Sequence, residues 1–438
     1  MRKILVLTNI YPAPDVPLAA TPVVHYFTRE WVKMGYDVRV VNLTSNFPEL
    51  LNLLVRPFRN IITAKVGYTV RAYSLKDMEY EQEGVPVCRI GLKKIKPHSL
   101  FSDKEVNNAY LRACDYCERV GFIPELVVSH WSNPQLQVMS MMKAKFGCKT
   151  AYIAHSATEA DVYGAQLMPI LDSIDTIGFR SDYIRRKFLG LHSWKKDWFY
   201  CYSGIPEEYT DFSLCKHFGN MNSFIYVGTM IQRKYPAKII PAVNASISDK
   251  DFSITYIGAG EECKNVSEIA DKCGVENKVN LLGRLPRNEV VQQLDKNDIF
   301  VMISKGETFG LVYLEAMARG CITIASKREG FDGIIKNGEN GFLCEAGDEK
   351  ELAEIIRHIR TLSESEIQRI SHNAIMTACE LTDKKAARAY LDAISQSGRW
   401  HNTECLESGT VILKCKDGKS LDKFWNNEAL GEEDIMKL

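Results

Sequence analysis

Short apolar runs rich in β-branched residues recur along the chain, with longer amphipathic or polar stretches between them. In the first half the runs are KILVLT (3–8), VRVVNL (38–43), LVVSH (126–130), TAYIAH (150–155), TIGFRS (176–181) and FYCYSGI (199–205). Runs of this kind, alternating with helical segments, predict the strands of a parallel sheet covered on both faces. A polar stretch, TDFSLCKHFGNMN (210–222), interrupts the pattern. It restarts with SFIYVGT (223–229), DFSITYIGAG (251–260), KVNLLG (278–283), DIFVMIS (298–304), CITIAS (321–326) and GFLCE (341–345). The expected fold class is therefore α/β, with two doubly wound, Rossmann-like domains over residues 1–205 and 206–396. Residues 349–361 and 364–396 are expected to form closing helices of the second domain. Residues 397–438, polar apart from TVILKC (410–415), form a tail to which no role is assigned. Open parallel sheets bind ligands beyond the carboxyl ends of their strands, so chemistry is expected in the cleft between the two domains.

Composition narrows the class. A length of 438 residues suits two cores better than one. The opening apolar run, Ile4 to Leu7, is too short for a signal sequence, and the longest stretch free of charged side chains, Leu126 to Met142, holds His130, Asn133, Pro134 and two glutamines. Neither reads as a membrane span. Thirteen cysteines, an odd number without a framework, suit a reducing compartment, so a cytoplasmic location is expected. Cys114 and Cys117 form one CxxC without a second pair, which reads as two thiols on a helix. Net charge is zero, but residues 1–203 carry +7 and residues 204–438 carry −7. The excess is too mild to indicate nucleic acid, and suits a phosphate-bearing partner or a membrane surface. Residues 46–66 place Leu51, Leu54, Phe58 and Ile62 on one helical face, with Arg56, Arg59 and Lys65 elsewhere around the wheel. Such a segment can lie on a membrane or pack as an ordinary core helix kinked at Pro57, and both readings stand.

The stretch richest in chemistry is 304–348, which follows a predicted strand and carries Glu307 and Glu315 with seven residues between them. Glu307 is expected in a strand-to-helix loop and Glu315 on the helix. Gly310 lets a ligand approach the backbone, and the amides of Phe309, Gly310 and Leu311 at the helix start suit a phosphate. Carboxylates bind sugar hydroxyls, so the pair fits a sugar and a ribose joined by a diphosphate. Taken as bare spacing, Glu307 is equally a helix cap and Glu315 a surface acid. The only Asp-x-Asp, Asp249 and Asp251, falls between a helix and a strand start and reads as a solvated turn, so no metal is expected. A dinucleotide fingerprint and a Walker loop are both missing, which disfavours a dehydrogenase or an ATPase.

The wording ETFGLVYLEAMARG, followed by EGFDGIIKNGENGFLCEAGD, closely resembles the E-x7-E signature of retaining family-four glycosyltransferases. The resemblance extends upstream through YVGTMIQRK (226–234), YIGAGEE (256–262) and VNLLGRLPRNEVVQQLDKNDIF (279–300), and more loosely through KILVLTNIYP and YDVRVV. It implies the GT-B architecture of two facing Rossmann-like domains. It also implies roles: Glu307 contacts hydroxyls of the donor sugar, Glu315 holds the nucleotide ribose, and Lys234 offsets the donor diphosphate. The family places an arginine directly after the strand-ending glycine, but here Gly228 is followed by Thr229, and Arg233 is the available substitute. His155 matches a histidine beside the donor sugar, and His130 is a second strand-end histidine that could reach the acceptor, though a lone histidine is more often structural. The family's glycine-rich loop after the first strand is replaced by YPAPDVPLAATPVVH (11–25), which has no glycine.

The resemblance thus implies a retaining, metal-independent glycosyltransferase using a UDP- or GDP-sugar. The motif wording is most similar to that of bacterial capsule and exopolysaccharide transferases, which implies a lipid-diphosphate-linked glycan acceptor at the cytoplasmic face of a membrane and peripheral attachment there. Two other readings share the architecture: a nucleotide-sugar epimerase, and a non-catalytic protein that only binds nucleotide sugar. The sugar, the linkage and the oligomeric state are not legible.

Overall fold

The structure, a computed structural model, describes residues 2–16, 21–46, 74–94, 99–210, 216, 218–249 and 251–396. The amphipathic stretch expected over 46–66 lies outside the described residues apart from Asn46, as does the tail from 397. Among the described residues no helix is long and apolar enough to cross a membrane.

Two sheets form, one in each half. The first comprises β1 (Lys3–Thr8), β2 (Asp37–Asn46), β3 (Met78–Gln82), β4 (Val85–Lys93), β5 (Leu126–His130), β6 (Lys149–Ala154), β7 (Thr176–Phe179) and β8 (Trp198–Tyr200). Their order is β3-β4-β2-β1-β5-β6-β7-β8, and all neighbours run parallel except β3 against β4. The second comprises β9 (Ser223–Val227), β10 (Ser253–Ile257), β11 (Val279–Leu281), β12 (Ile299–Val301), β13 (Ile322–Ser326) and β14 (Phe342–Cys344), all parallel in the order β11-β10-β9-β12-β13-β14. The central strands are buried on both faces, which is why they read as continuous apolar runs. In each sheet the winding reverses once, between β1 and β5 and between β9 and β12, the points at which open parallel sheets generally bind ligands.

The β3–β4 hairpin is an element that apolar runs do not reveal. MEYEQ alternates between half-buried and exposed at the sheet edge, and the turn is Glu83–Gly84, both with positive φ.

The end of the chain departs from a simple division at residue 205. The expected helix 364–396 is interrupted, giving helices Glu364–Cys379 and Asp383–Gln396, and the second of these packs on the first sheet. Ala386, Ala387, Tyr390, Leu391 and Ile394 share a core with Ile4, Val6, Phe27 and Trp31, and Trp31 Nε1 donates to the Ala387 carbonyl at 2.9 Å. The reason is amphipathic: the helix carries an apolar face, and helix Val23–Lys33 offers a complementary one. The two chain crossings between the domains touch at an Ile205–Thr382 bridge. A side chain at Gly204 would stand 2.3 Å from backbone atoms of Thr382 and Asp383, so only glycine fits there.

Candidate functional site

Every residue singled out for chemistry in the second domain lies beyond the carboxyl ends of β9 and β12 or on the helix Leu311–Ala318. After β9 a short turn, Gln232–Lys234, aims two cations at the loop that follows β12. Lys234 Nζ lies 3.2 Å from Glu307 Oε2 and 3.8 Å from Met302 Sδ, and both charged side chains are nearly buried, at 13% and 15% exposed. The Arg233 guanidinium donates to the carbonyls of Lys305 and Gly306 at 3.1 and 3.3 Å and stands 3.8 Å from the same carboxylate. Glu307 accepts no hydrogen bond at Oε2 among the described residues, so the oxygen is held by charge alone. Shielded Lys234 and Glu307 and the half-exposed Arg233 thus bring both signs of charge together beyond the strand ends.

The Glu307 loop is braced from beneath by Glu329, which sequence reasoning did not single out. Its carboxylate accepts from the Glu307 amide at 2.9 Å and from the amide of Gly306, while burial pushes its own pKa up. Gly310 precedes the helix with φ +84°, and a Cβ there would meet the Tyr313 ring at 2.5 Å. Phe309 is buried among Tyr202, Phe331 and the Arg180 guanidinium, so its side chain seals the loop against the first domain. Leu311 opens the helix directly after Gly310, and no side chain among the described residues caps the helix start.

Glu315, one helical stretch on, does not stand free. Arg287 donates to its Oε1 from Nε at 3.1 Å and from Nη2 at 2.7 Å. Burial raises the Glu315 pKa, and the guanidinium opposes the rise. Arg287 also lies 4.9 Å from the centre of the Tyr209 ring and 5.8 Å from that of Tyr26, which belongs to the first domain. Arg29 stands over the same Tyr26 ring at 5.5 Å and donates to Asp383 at 3.1 Å. A run of charge and ring contacts therefore leads from Glu315 to the domain crossing.

In the first domain His155 directly follows β6, and its ring is stacked on Trp131 with centroids 4.1 Å apart. Its Nε2 is 3.0 Å from Nδ1 of His130. Here the structure corrects an expectation: His130 is fully buried, with its other nitrogen 3.3 Å from the Tyr390 hydroxyl, and so cannot reach an acceptor. The reason is that β5 is central and its last residue lies beneath the loop after β6. Burial and the nearby Arg180 hold the pKa of His130 well below its usual value, and burial, His130 and Arg180 do the same to His155. Arg180, only 1% exposed, donates to the Cys201 carbonyl at 2.6 Å and to the Ser203 hydroxyl.

Glu159 shapes the His155 loop. It accepts from the Tyr152 hydroxyl at 2.5 Å and the His155 amide at 2.9 Å, and burial pushes its pKa up to about 7. A carboxyl whose folded pKa exceeds its unfolded one takes up protons on folding, so its contribution to stability falls as pH rises from the ordinary glutamate range to about 7 and is flat above. Glu159→Gln, which carries no charge, is expected to remove that segment of the stability profile. Urea midpoints of both proteins between pH 5 and 8 check it, and parallel profiles would refute the assignment.

The structure brings together Glu307, Lys234 and Arg233 of the residues singled out in the sequence, with Phe309, Gly310 and Leu311 on the same loop and helix start, Glu315 further along that helix, and His155 at a first-domain strand end. Arg287, Glu329, Arg180, Glu159 and Tyr390 were missed; only Arg287 and Glu329 fall in stretches already marked by their wording.

Residues 215–375 match the model of the family described as glycosyl transferases group 1. N-acetyl-alpha-D-glucosaminyl L-malate synthase of Bacillus anthracis is 28% identical over 145 residues, which are 33% of this chain and 37% of that protein. An uncharacterized glycosyltransferase of Methanocaldococcus jannaschii is 27% identical over 262 residues, 57% of this chain and 68% of that one. The match thus spans little more than a third of the first relative and about two thirds of the second. Among solved structures, Alr3699/HepE of Anabaena, crystallised in complex with UDP, superposes with a TM-score of 0.63 at 15% identity, covering 90% of this chain and 100% of that one. The stretch 215–375 thus matches glycosyl transferases group 1, and the described chain has the two-domain GT-B fold.

Proposed function

We propose that the protein transfers a sugar from a nucleotide-sugar donor to a glycan acceptor, with retention of configuration and without a metal ion. The observation that carries this is the meeting of Lys234, Arg233 and Glu307 beyond the ends of β9 and β12, with Glu315 on the adjoining helix. Lys234 and Arg233 supply the positive charge that a departing diphosphate needs, so Arg233 stands in for the arginine that Thr229 replaces. Glu307, released from Lys234 as the lysine turns to the diphosphate, takes hydroxyls of the donor sugar, and Glu315 takes the ribose. In this reading His155, at the end of β6, lies beside the donor sugar. No step calls for a protein nucleophile: positioning and charge stabilisation perform the work.

UDP is the favoured nucleotide, since Alr3699/HepE, of the same fold, was crystallised with it. For the acceptor we favour a lipid-diphosphate-linked glycan of capsule or exopolysaccharide assembly, on the motif wording and on the +7 balance of residues 1–203. That reading places the protein in the cytoplasm, at the inner membrane surface.

Thermal shift against a panel of UDP- and GDP-sugars should pick out one donor, because a ligand that binds only the folded state stabilises it. With that donor and a lipid-diphosphate sugar in vesicles, transfer is expected to continue in excess EDTA. Loss in EDTA with rescue by Mn²⁺ would overturn the metal-free reading. Conversion of the donor with no acceptor present would identify an epimerase, and tight donor binding without turnover a binding protein.

A further inference from the structure

Tyr390, from the last helix, buries its hydroxyl among Phe27, Trp31 and Phe199. Its one hydrogen-bond partner among the described residues is Nε2 of His130, at 3.3 Å. A buried O–H with a single reachable acceptor gives its proton to that acceptor, since an unmade donor costs more than an unfilled lone pair. Nε2 of His130 therefore carries the lone pair. A neutral imidazole holds one proton, so that of His130 is on Nδ1 and points along the 3.0 Å contact to Nε2 of His155. The same reasoning passes one ring further: His155 Nε2 accepts, and its proton is on Nδ1. That nitrogen has no hydrogen-bond partner among the described residues and is not among the buried unpaired atoms, so it is open to solvent just beyond the carboxyl end of β6. The face of the ring is fixed by Trp131, stacked at 4.1 Å.

We propose that Tyr390 and His130 lock His155 as its Nδ1–H tautomer, so that His155 presents a hydrogen-bond donor to the cleft and does not act there as a base. Tyr390 and His130 are positioning residues and touch no substrate. The partner of the Nδ1–H is an oxygen lone pair of the donor, on the sugar or on the diphosphate; this last step rests on the transfer reaction proposed above, and the tautomer itself does not.

The test has a spectroscopic arm and a kinetic arm. In protein labelled with ¹⁵N-histidine, long-range ¹H–¹⁵N correlation reads each ring's tautomer, and His155→Gln identifies the signal among the nine histidines. Wild type should show His155 with protonated Nδ1 and unprotonated Nε2. Tyr390→Phe removes one oxygen and keeps the packing; the lock is then open, and the His155 signals should move toward the Nε2–H form. Its kcat should fall about tenfold with donor affinity unchanged. His130→Asn can still offer an amide N–H to His155 and should retain most activity, whereas His130→Leu should not. A wild-type His155 protonated at Nε2, or a Tyr390→Phe protein with unaltered ring signals, overturns the proposal. Correct ring signals in a protein that transfers no sugar would leave the tautomer standing and reject the enzymatic reading.

Discussion

Lys234→Met is expected to lower kcat for sugar transfer by about 10²–10³-fold, the usual loss when one preorganised charge aimed at a developing anion is removed. The same change should also destabilise the fold. Lys234 is the nearest counter-charge of Glu307, at 3.2 Å, and both side chains are largely shielded from water. Removing one member of such a pair leaves the other charge stranded, which costs more than the pair itself contributes. Lys234→Met/Glu307→Gln should therefore recover most of the lost thermal midpoint and none of the lost turnover. Steady-state kinetics and melting curves of the two singles and the double decide the matter. A Lys234→Met enzyme with near-wild-type kcat would remove the lysine from the leaving-group site; a double mutant no more stable than Lys234→Met would remove it from the pair. Glu307→Gln and His155→Ala should likewise lower kcat, with donor binding retained.

The second large effect is expected at Arg287. Its guanidinium holds one oxygen of the buried Glu315, and in the proposed reaction the other takes a ribose hydroxyl, so Arg287→Ala should raise the donor KM by tenfold or more with a smaller change in kcat. Glu315→Gln should follow the same split, because the ribose changes little on the way to the transition state. Stability supplies an independent reading. Glu315 has its pKa raised by burial, and Arg287 is what opposes the rise. A carboxyl with a raised folded pKa favours the folded state while protonated and weighs against it once ionised, as pH climbs past the ordinary carboxylate range. Without the arginine the imbalance grows, so Arg287→Ala should lose about 2–3 kcal/mol near pH 8, a figure already reduced because Arg287 itself is 36% exposed, and distinctly less near pH 5. Denaturant unfolding at both values measures it. A loss independent of pH would mean that Arg287 acts by packing on Tyr26 and Tyr209 alone.

What could be read from the chain depended on whether a residue's partner is near in sequence. The interior strands announce themselves, because burial on both faces leaves unbroken apolar runs such as LVVSH and CITIAS. Edge strand β3 does not, since half of MEYEQ faces water and its only plain signal is the Glu83–Gly84 turn. Glu307, Glu315 and Lys234 sit in stretches of distinctive wording, so their neighbourhood was legible before any fold was known. The partner of each was not. Arg287 reaches Glu315 across 28 residues, Lys305 and Arg233 meet across 72, and Tyr390 lies 260 residues from His130. No local spacing encodes such meetings; they follow from strand order and from where a helix finds an apolar face. His130 illustrates the opposite error, since a strand-end histidine looks like a ligand until the loop after β6 covers it.

The return of helix Asp383–Gln396 to the first domain has a consequence for synthesis. Phe27, Trp31 and the ring of His130 are made early, yet the Tyr390 that packs against all three leaves the ribosome only after the whole second domain has been translated. During elongation the nascent first domain must wait with an uncovered aromatic face, a surface on which chaperones and other nascent chains can act. The second domain, by contrast, can complete its own core from residues 206–379 before that helix emerges. The half translated first is thus the half finished last, and the histidine pair receives Tyr390 only after the second domain has been made.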